Sequence, residues 1–188
     1  VPIAAPSANL FGSASPTCAK HVREQLGKNI DFLLDGGRCS VGVESTIISF
    51  AANQPLLLRP GGITVEQIES VIGTVRIAER NDFCPLSPGR SSRHYAPRTP
   101  IVLRSRTGLP PKDKQVGLLS LRSPKGRNGF AAVEILSATG NLTEAAARLF
   151  AAIHRLDNMG LDLILAVKVP NRGMGRAIND RLRRASQK

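Results

Sequence analysis

A short segment rich in proline, glycine and arginine, residues 87–97, divides the chain into two unlike parts. Its two prolines and its glycine disfavour a helix or a central strand, so the segment is predicted to be extended or to turn. It also carries Arg93, His94 and the chain's only tyrosine, Tyr95. Because such side chains recognise anions and flat rings, we interpret the segment as a linker that contributes to a site. The alternative is a solvated basic connector.

The two parts differ in charge. Residues 1–86 hold 7 Lys and Arg against 8 Asp and Glu, whereas residues 87–188 hold 19 against 6. This excess predicts contact between the C-terminal part and RNA or another polyanion; a basic face that only confers solubility is the alternative. No aromatic residues are interleaved with the terminal cations, which argues against a stacking platform for single-stranded RNA.

Composition excludes several classes of protein. No apolar run approaches the roughly 20 residues that span a bilayer, and no signal peptide is recognisable, so no membrane association is expected. The three cysteines, at positions 18, 39 and 84, form no CxxC pair, which argues against a disulfide framework and a zinc site and favours a reduced, cytoplasmic setting. The chain begins with Val1 in what reads as the end of a strand, and we expect a longer protein to precede it.

The N-terminal part alternates strand and helix patterns, which predicts an α/β layer. Strands are predicted at 30–35, 41–50 and 55–58. One helix is predicted to begin with Ser15 as N-cap and Pro16 as its first residue. A second helix follows the capping-box spacing of Thr64 and Gln67 and ends at Gly73.

Polar residues at the ends and middles of these strands are candidate site residues. Ser7 and Asn9 lie in a turn before a helix, where an anion could be bound; closing the turn is the alternative. Arg59 ends a strand beside a glycine turn, where it could hold a carboxylate or phosphate or form a surface salt bridge. Ser45 and Thr46 interrupt an apolar strand and must face solvent, a partner or a ligand.

The C-terminal part reads as a small open α/β sheet of Rossmann-like type. Strands are predicted at 100–103, 116–121, 131–136 and 163–167. A long helix capped by Asn141 and Glu144 and a final helix at 174–185 are also predicted. Gly-Met-Gly at 173–175 lacks the full dinucleotide-binding pattern. His154 is predicted to be a surface or packing residue. The arginines at 181, 183 and 184 are assigned to the electrostatics of a helix C-terminus.

Six groups of motifs follow one another in a recognisable order. They are Pro-Ser-Ala-Asn at 6–9, Ser-Pro-Thr at 15–17, Val-Glu-Ser-Thr-Ile at 43–47, Leu-Arg-Pro-Gly at 58–61, Ser-Pro-Gly at 87–89 with His-Tyr-Ala-Pro at 94–97, and Gly-Met-Gly-Arg-Ala-Ile-Asn-Asp-Arg-Leu at 173–182. The chain resembles the two-domain threonylcarbamoyl-AMP synthases in this order. The resemblance implies the C-terminal part of a YrdC-like twisted α/β sheet domain at 1–78, a linker and active-site lid at 79–99, and a Rossmann-like α/β domain at 100–188.

The resemblance also implies a reaction. L-Threonine, bicarbonate and ATP give threonylcarbamoyl-adenylate and pyrophosphate, and a downstream transferase passes the threonylcarbamoyl group to an adenosine of tRNA. Mg²⁺ accompanies the ATP, and no protein side chain is expected to bind a metal. Such a site must position its substrates and neutralise the charge that leaves as pyrophosphate.

Roles carried over from the family fall on positions that match its motifs. Ser7, Asn9 and Arg59 are expected at the ATP phosphates, with a carboxylate as the alternative for Arg59. Ser45 and Thr46 are expected to donate hydrogen bonds to the nucleotide or to threonine. Arg93, His94 and Tyr95 are expected in the lid, which limits the access of water. The family's Lys-x-Arg motif has no equivalent here, so the chain alone is expected to be incomplete as an enzyme.

Two other functions remain open at this point. One is an RNA-binding or assembly module that uses the basic C-terminal part and performs no catalysis. The other is carbamoyl-phosphate processing in hydrogenase maturation, against which the missing acylphosphatase-like and zinc-finger regions argue.

Overall fold

The computed structural model describes residues 5–51, 53–78, 94–124 and 129–187, and these ranges fold around two separate sheets. A 3₁₀ turn at Gly27–Asn29 follows the first helix. The helices are α1 (Ala19–Leu26), α2 (Val65–Ile72), α3 (Leu142–Asp157) and α4 (Met174–Ala185). The strands are β1 (Ile47–Ser49), β2 (Leu56–Arg59), β3 (Arg76–Ile77), β4 (Ile101–Arg104), β5 (Val116–Ser120), β6 (Ala132–Ile135) and β7 (Leu163–Val167).

The first sheet is small and mixed. Its order is β1-β2-β3, with β1 antiparallel and β3 parallel to β2. Helix α2 packs against it through a cluster of Leu57, Val65 and Val75. The predicted capping box is confirmed: Thr64 Oγ1 accepts from Gln67 N, and Gln67 Oε1 accepts from Thr64 N.

The second sheet is parallel throughout and confirms the predicted Rossmann-like architecture. Its order is β4-β7-β5-β6. Every residue of the central strand β5 is buried, as expected for a parallel strand covered on both faces. Helices α3 and α4 cover one face, where Phe150, Ile153, Ile164 and Ile178 belong to the principal apolar core.

Several element boundaries predicted from the sequence are confirmed. Strand β7 and helix α4 have the predicted bounds at both ends. Asn141 caps α3, because its Oδ1 accepts from Thr143 N at 2.9 Å and from Glu144 N at 3.1 Å. Ile178 lies in the core as predicted, and His154 is a buried packing residue rather than a surface one.

Other predicted elements are wrong. Residues 30–35 form no strand, and the side chains of Phe32 and Leu34 are 91% and 95% exposed. An isolated strand leaves its backbone unpaired, and no described segment lies beside this one to pair with it. The predicted strand at 41–50 is reduced to β1. Helix α1 begins after Cys18 rather than after Ser15, whose hydroxyl donates to Glu44 instead of capping the helix.

The N-terminal part contacts the C-terminal helices at several points. The Cβ position of Gly42, built on its backbone, lies only 2.4 Å from Ala147 Cα, so this turn touches α3 directly. His154 Nε2 lies 3.1 Å from the carbonyl oxygen of Ser15, and its ring stacks on that of His21 at 4.0 Å. Residues 79–93, most of the predicted linker, lie outside the described residues, so the predicted domain boundaries stay predictions.

No helix in the described ranges has both the length and the apolar character needed to cross a membrane.

Candidate functional site

The predicted anion-binding loop and the end of the linker lie side by side. Ala96 N donates to Gly12 O at 2.8 Å, and Ser13 and Ala96 form a parallel bridge. The ring of Phe11 meets that of His94 edge-on at 6.0 Å. Two segments that are far apart in the sequence therefore share one surface, as a site formed by both would require.

Ser7 and Asn9 differ in what they offer a ligand. Ser7 is exposed and lines a cavity of about 310 Å³ together with Ser15 and Glu44. The Asn9 amide donates from Nδ2 to Leu10 O at 2.9 Å, whereas its buried Oδ1 has no hydrogen-bonding partner in the part of the chain that the structure describes. In this arrangement Asn9 presents an acceptor, so a hydrogen bond to phosphate would require its amide to reorient.

Arg59 and Ser45 are brought together by the pairing of the first sheet. Arg59 Nε and Nη2 donate to the carbonyl oxygen of Ser45 at 3.1 and 2.9 Å, and Nη2 also contacts Ser45 Oγ at 3.2 Å. Arg59 is buried, whereas the alternative of a surface salt bridge would leave its side chain exposed. Ser45 is exposed, so its hydroxyl remains accessible to a ligand.

Thr46 has a different environment from its neighbour. Its Oγ1 donates to Ile63 O at 2.5 Å and accepts from Ile63 N at 3.2 Å. The hydroxyl therefore fixes the turn that leads into α2. Of the two adjacent hydroxyls predicted to bind a ligand, only that of Ser45 is placed to do so here.

Glu44 lies at the centre of the site, between the two parts of the chain. One carboxylate oxygen accepts from Ser15 Oγ at 2.5 Å, and the other accepts from Arg181 Nε at 2.8 Å. Burial alone would raise the pKa of Glu44, but the Arg181 guanidinium and the Ser15 hydrogen bond hold it below its ordinary value. Glu44 is therefore ionised at neutral pH and is not available as a general acid.

Arg181 is the principal correction to the sequence-based prediction. It was assigned to the electrostatics of a helix terminus, yet its side chain is fully buried. Its Nη1 donates to Pro60 O at 2.6 Å and to Asp180 Oδ2 at 3.1 Å. Arg183 and Arg184 pair with the same Asp180 carboxylate. No local pattern in the sequence could identify the partners of Arg181, since Glu44 lies 137 residues away.

Tyr95 packs against this ion pair, and His94 meets the Tyr95 ring edge-on at 4.1 Å. The Arg181 guanidinium lies over the Tyr95 ring at 5.2 Å, and Phe150 approaches the same ring at 5.5 Å. Burial lowers the pKa of His94, with Glu44 opposing and the nearby arginines reinforcing the shift, so the imidazole is neutral at pH 7. Burial raises the pKa of Tyr95, so its phenol keeps its proton. Arg93, the third predicted lid residue, lies outside the described residues.

The described part of the chain holds no group of three or more His, Cys, Asp or Glu side chains arranged to bind a metal ion. The expectation that Mg²⁺ accompanies ATP stays a prediction.

A second cavity, of about 700 Å³, lies between the first sheet and α4. Lys168, Arg176, Arg183 and Arg184 contribute to its lining, together with Asp180. Arg176 pairs with Glu66, and the other two arginines pair with Asp180. Since acidic partners offset much of this charge, contact with a polyanion stays a prediction.

Two family models match the chain. The one described as "Threonylcarbamoyl-AMP synthase, C-terminal domain" matches residues 63–187. The Sua5/YciO/YrdC model, described as "Telomere recombination", matches residues 1–61.

The chain is similar over nearly its whole length to three proteins named threonylcarbamoyl-AMP synthase. It is 39% identical to that of Bacillus subtilis over 201 residues, covering 99% of this chain and 57% of the relative. It is 37% identical over 196 residues to that of Pyrococcus abyssi, covering 98% and 58%. It is 34% identical over 212 residues to that of Schizosaccharomyces pombe, covering 98% and 52%. The chain thus spans little more than half the length of these curated relatives.

Two solved structures share its fold. The crystal structure of P. abyssi Sua5 complexed with L-threonine superposes with a TM-score of 0.82 at 36% identity, covering 96% of this chain and 56% of that one. A variant of P. abyssi Sua5 with an adjacent histidine and tyrosine changed to alanine superposes with a TM-score of 0.79 at 35% identity, with the same coverage. Since the first family model matches well over half of the chain, the chain belongs to the threonylcarbamoyl-AMP synthase family.

Proposed function

We propose that the protein containing this chain is an L-threonylcarbamoyladenylate synthase, which forms threonylcarbamoyl-AMP and pyrophosphate from L-threonine, bicarbonate and ATP. The observation that carries the proposal is the clustering of Ser45, Arg59 and His94 with the Ser7 loop around Glu44. These residues come from separate motifs whose order matches the family. The relatives named as threonylcarbamoyl-AMP synthases support the same reaction.

The proposed reaction requires two substrates to be aligned. A threonine carbamate oxygen attacks the α-phosphorus of ATP, a new P–O bond forms, and the bond to pyrophosphate breaks. Arg59 supplies a fixed positive charge close to Ser45, and the Ser45 and Ser7 hydroxyls supply hydrogen-bond donors. Catalysis then rests on positioning and on charge neutralisation by these preorganised groups. Mg²⁺ bound to ATP would neutralise further phosphate charge.

His94 and Tyr95 are proposed to shield the product from water. This is the chain's only His-Tyr pair, and the Pyrococcus variant has an adjacent histidine and tyrosine replaced. The Tyr95 phenol keeps its proton and so offers no base to hydrolyse the mixed anhydride, and the partly buried His94 and the buried Tyr95 ring would limit the access of water.

The proposal extends to partners. The product would pass to a downstream transferase that modifies tRNA in the cytoplasm, with tRNA contact through the basic C-terminal part as a secondary expectation. L-Threonine as substrate is supported by the related structure that binds it.

The experiment measures pyrophosphate release from ATP by the full-length gene product that carries this chain. Threonine and bicarbonate are each left out in turn. We expect release only when both are present. Release without threonine, or none from folded protein, would contradict the proposal and favour an RNA-binding module, whose affinity should fall steeply with salt.

Alanine substitutions at two serines test whether Ser45 contributes to the activity. Ser45→Ala should lower kcat/KM by roughly 10- to 100-fold, because it removes a hydrogen bond to a charged substrate group. Ser49→Ala is the control, since Ser49 Oγ accepts from Ala51 N within its own turn. Equal activity of the two variants would exclude Ser45 from the site.

A further inference from the structure

Arg181 has an unusual position for an arginine on a terminal helix. It lies within α4, yet its side chain has no exposed surface. Its guanidinium extends from α4 and contacts the N-terminal part of the chain. There it contacts two segments, each of which carries a candidate site residue.

The two contacted segments hold Ser45 and Arg59. Arg181 Nε donates to Glu44 Oε2 at 2.8 Å, one residue before Ser45. Its Nη1 donates to Pro60 O at 2.6 Å, one residue after Arg59. The planar guanidinium therefore fixes the spacing between the segments that present the candidate substrate-binding groups, and the flexible ammonium of lysine could not do so in the same way.

The third contact is with Tyr95. This residue has a φ of +64°, a conformation that costs a non-glycine residue energy and persists only where its surroundings enforce it. The Arg181 guanidinium lies over one side of the ring, and Phe150 packs nearby. The strained linker residue is therefore held between two C-terminal helices.

Stability alone gives a weak reason for such an arrangement. A buried ion pair loses hydration, and well-packed apolar residues often replace one with no loss of stability. Among the described residues, neither the buried Arg181 Nη2 nor the Tyr95 hydroxyl has a hydrogen-bonding partner. A buried guanidinium with an unsatisfied donor fits a role in geometry better than a role in stability.

We propose that Arg181 is a positioning residue of the synthase site, which holds the Ser45 and Arg59 segments and the Tyr95 ring in a single arrangement. The C-terminal domain thus takes part in building the site. The proposed role in catalysis rests on the proposed function, whereas the role in placing Tyr95 does not.

Tyrosine fluorescence tests the structural part directly. The 188-residue chain has one tyrosine and no tryptophan, so its emission reports Tyr95 alone. In Arg181→Met we expect acrylamide quenching to rise severalfold, towards that of a free tyrosine derivative, with the circular dichroism retained. Arg148→Met is the matched control, because Arg148 also pairs with a glutamate at 2.8 Å but is exposed on α3. Unchanged quenching in folded Arg181→Met would overturn the proposal.

Arg181→Lys keeps the positive charge and guards against a failure of the methionine variant to fold. In the full-length gene product we expect it to lower kcat at least about tenfold through misalignment, while KM for ATP changes little. Wild-type kcat in Arg181→Lys, or a loss confined to KM, would overturn the catalytic role. If the wild-type gene product releases no pyrophosphate, the proposed function fails, and the quenching experiment still decides whether Arg181 places Tyr95.

Discussion

The C-terminal part of the chain, residues 94–187, encloses a continuous apolar core, whereas the N-terminal part, residues 5–78, does not. The principal core is built almost wholly from the second sheet with α3 and α4, while the first sheet buries a cluster centred on Leu57, Val65 and Val75. Among the described residues, ten large hydrophobic side chains are exposed in the N-terminal part and three in the C-terminal part. Within the described residues, the N-terminal part is therefore less densely packed than the C-terminal part.

The contacts between the parts explain how the site keeps its shape despite this difference. Gly42 rests on α3, His154 bonds to the Ser15 carbonyl, and Arg181 pairs with Glu44. All three contacts place C-terminal helices against segments that carry or flank candidate site residues. The densely packed part acts as the support on which the sparsely packed part is arranged.

The largest expected effect comes from removing a side chain from the C-terminal core. Phe150 is 1% exposed and also contacts Tyr95. Phe150→Ala should lower the free energy of unfolding by about 3–5 kcal/mol, measured by urea denaturation. Phe32→Ala, at an exposed position, should change it by less than about 0.5 kcal/mol. Similar losses in the two variants would mean that the parts are equally packed.

An intermediate effect is expected where the two parts touch. Gly42 has a φ of +73°, and an added Cβ would lie 2.4 Å from Ala147 Cα and 2.6 Å from Ala146 O. Gly42→Ala should therefore cost about 2–4 kcal/mol, the sum of backbone strain and a clash with α3. The loss is read from the urea midpoint at constant m-value.

Gly37→Ala is the control for this prediction, because Gly37 has a φ of +84° and no atom within 4 Å of the added Cβ. Gly37→Ala would introduce backbone strain but no steric clash, so it should lower the free energy of unfolding by about 1–2 kcal/mol. Equal costs for the two substitutions would show that α3 does not support the Gly42 turn.

The smallest effect concerns pH and the stacked histidines at the same boundary. Burial, reinforced by His154, lowers the pKa of His21 to about 4, and burial also lowers the pKa of His154. In the unfolded chain His21 binds a proton near pH 6.5, whereas in the folded chain it stays neutral down to about pH 4. The free energy of unfolding should therefore fall as the pH falls through the window from about 6.5 to about 4. Melting temperatures across the window measure the effect, and His21→Phe should make the decline shallower. An equal decline in both chains would mean that His21 is not held neutral by folding.

Much of the C-terminal fold could be predicted from the sequence. Strand β7 and helix α4 are long, strongly patterned and bounded by clear signals, so local rules locate both of their ends. In the N-terminal part, the capping box of Thr64 and Gln67 was also predicted correctly, because it too is a local pattern. At 30–35 the apolar pattern predicts a strand, but a strand also needs a neighbour, which local sequence does not reveal.

The candidate site was only partly predictable, because its decisive contacts join distant residues. Motif order predicted that Ser45 and Arg59 both contribute to the site, with Ser45 at the nucleotide or threonine and Arg59 at the phosphates, and the pairing of β1 with β2 brings the two side chains together. Motif order could not reveal that the Thr46 hydroxyl would donate its hydrogen bond to the Ile63 carbonyl. Nor could it reveal that the Arg181 side chain would be buried and would donate to Glu44. A polar residue within an apolar strand, such as Glu44, was the one signal that a buried partner existed.

The most direct measurement is a double-mutant cycle on the Glu44 and Arg181 pair, using urea denaturation of the chain with Glu44→Gln, Arg181→Met and both together. If this buried pair joins the two parts, each single variant leaves a partner unsatisfied, and the costs should be non-additive by about 2 kcal/mol or more. Costs that add to within about 0.5 kcal/mol would show that the two residues act independently, and would contradict the account in which the C-terminal helix holds the site together.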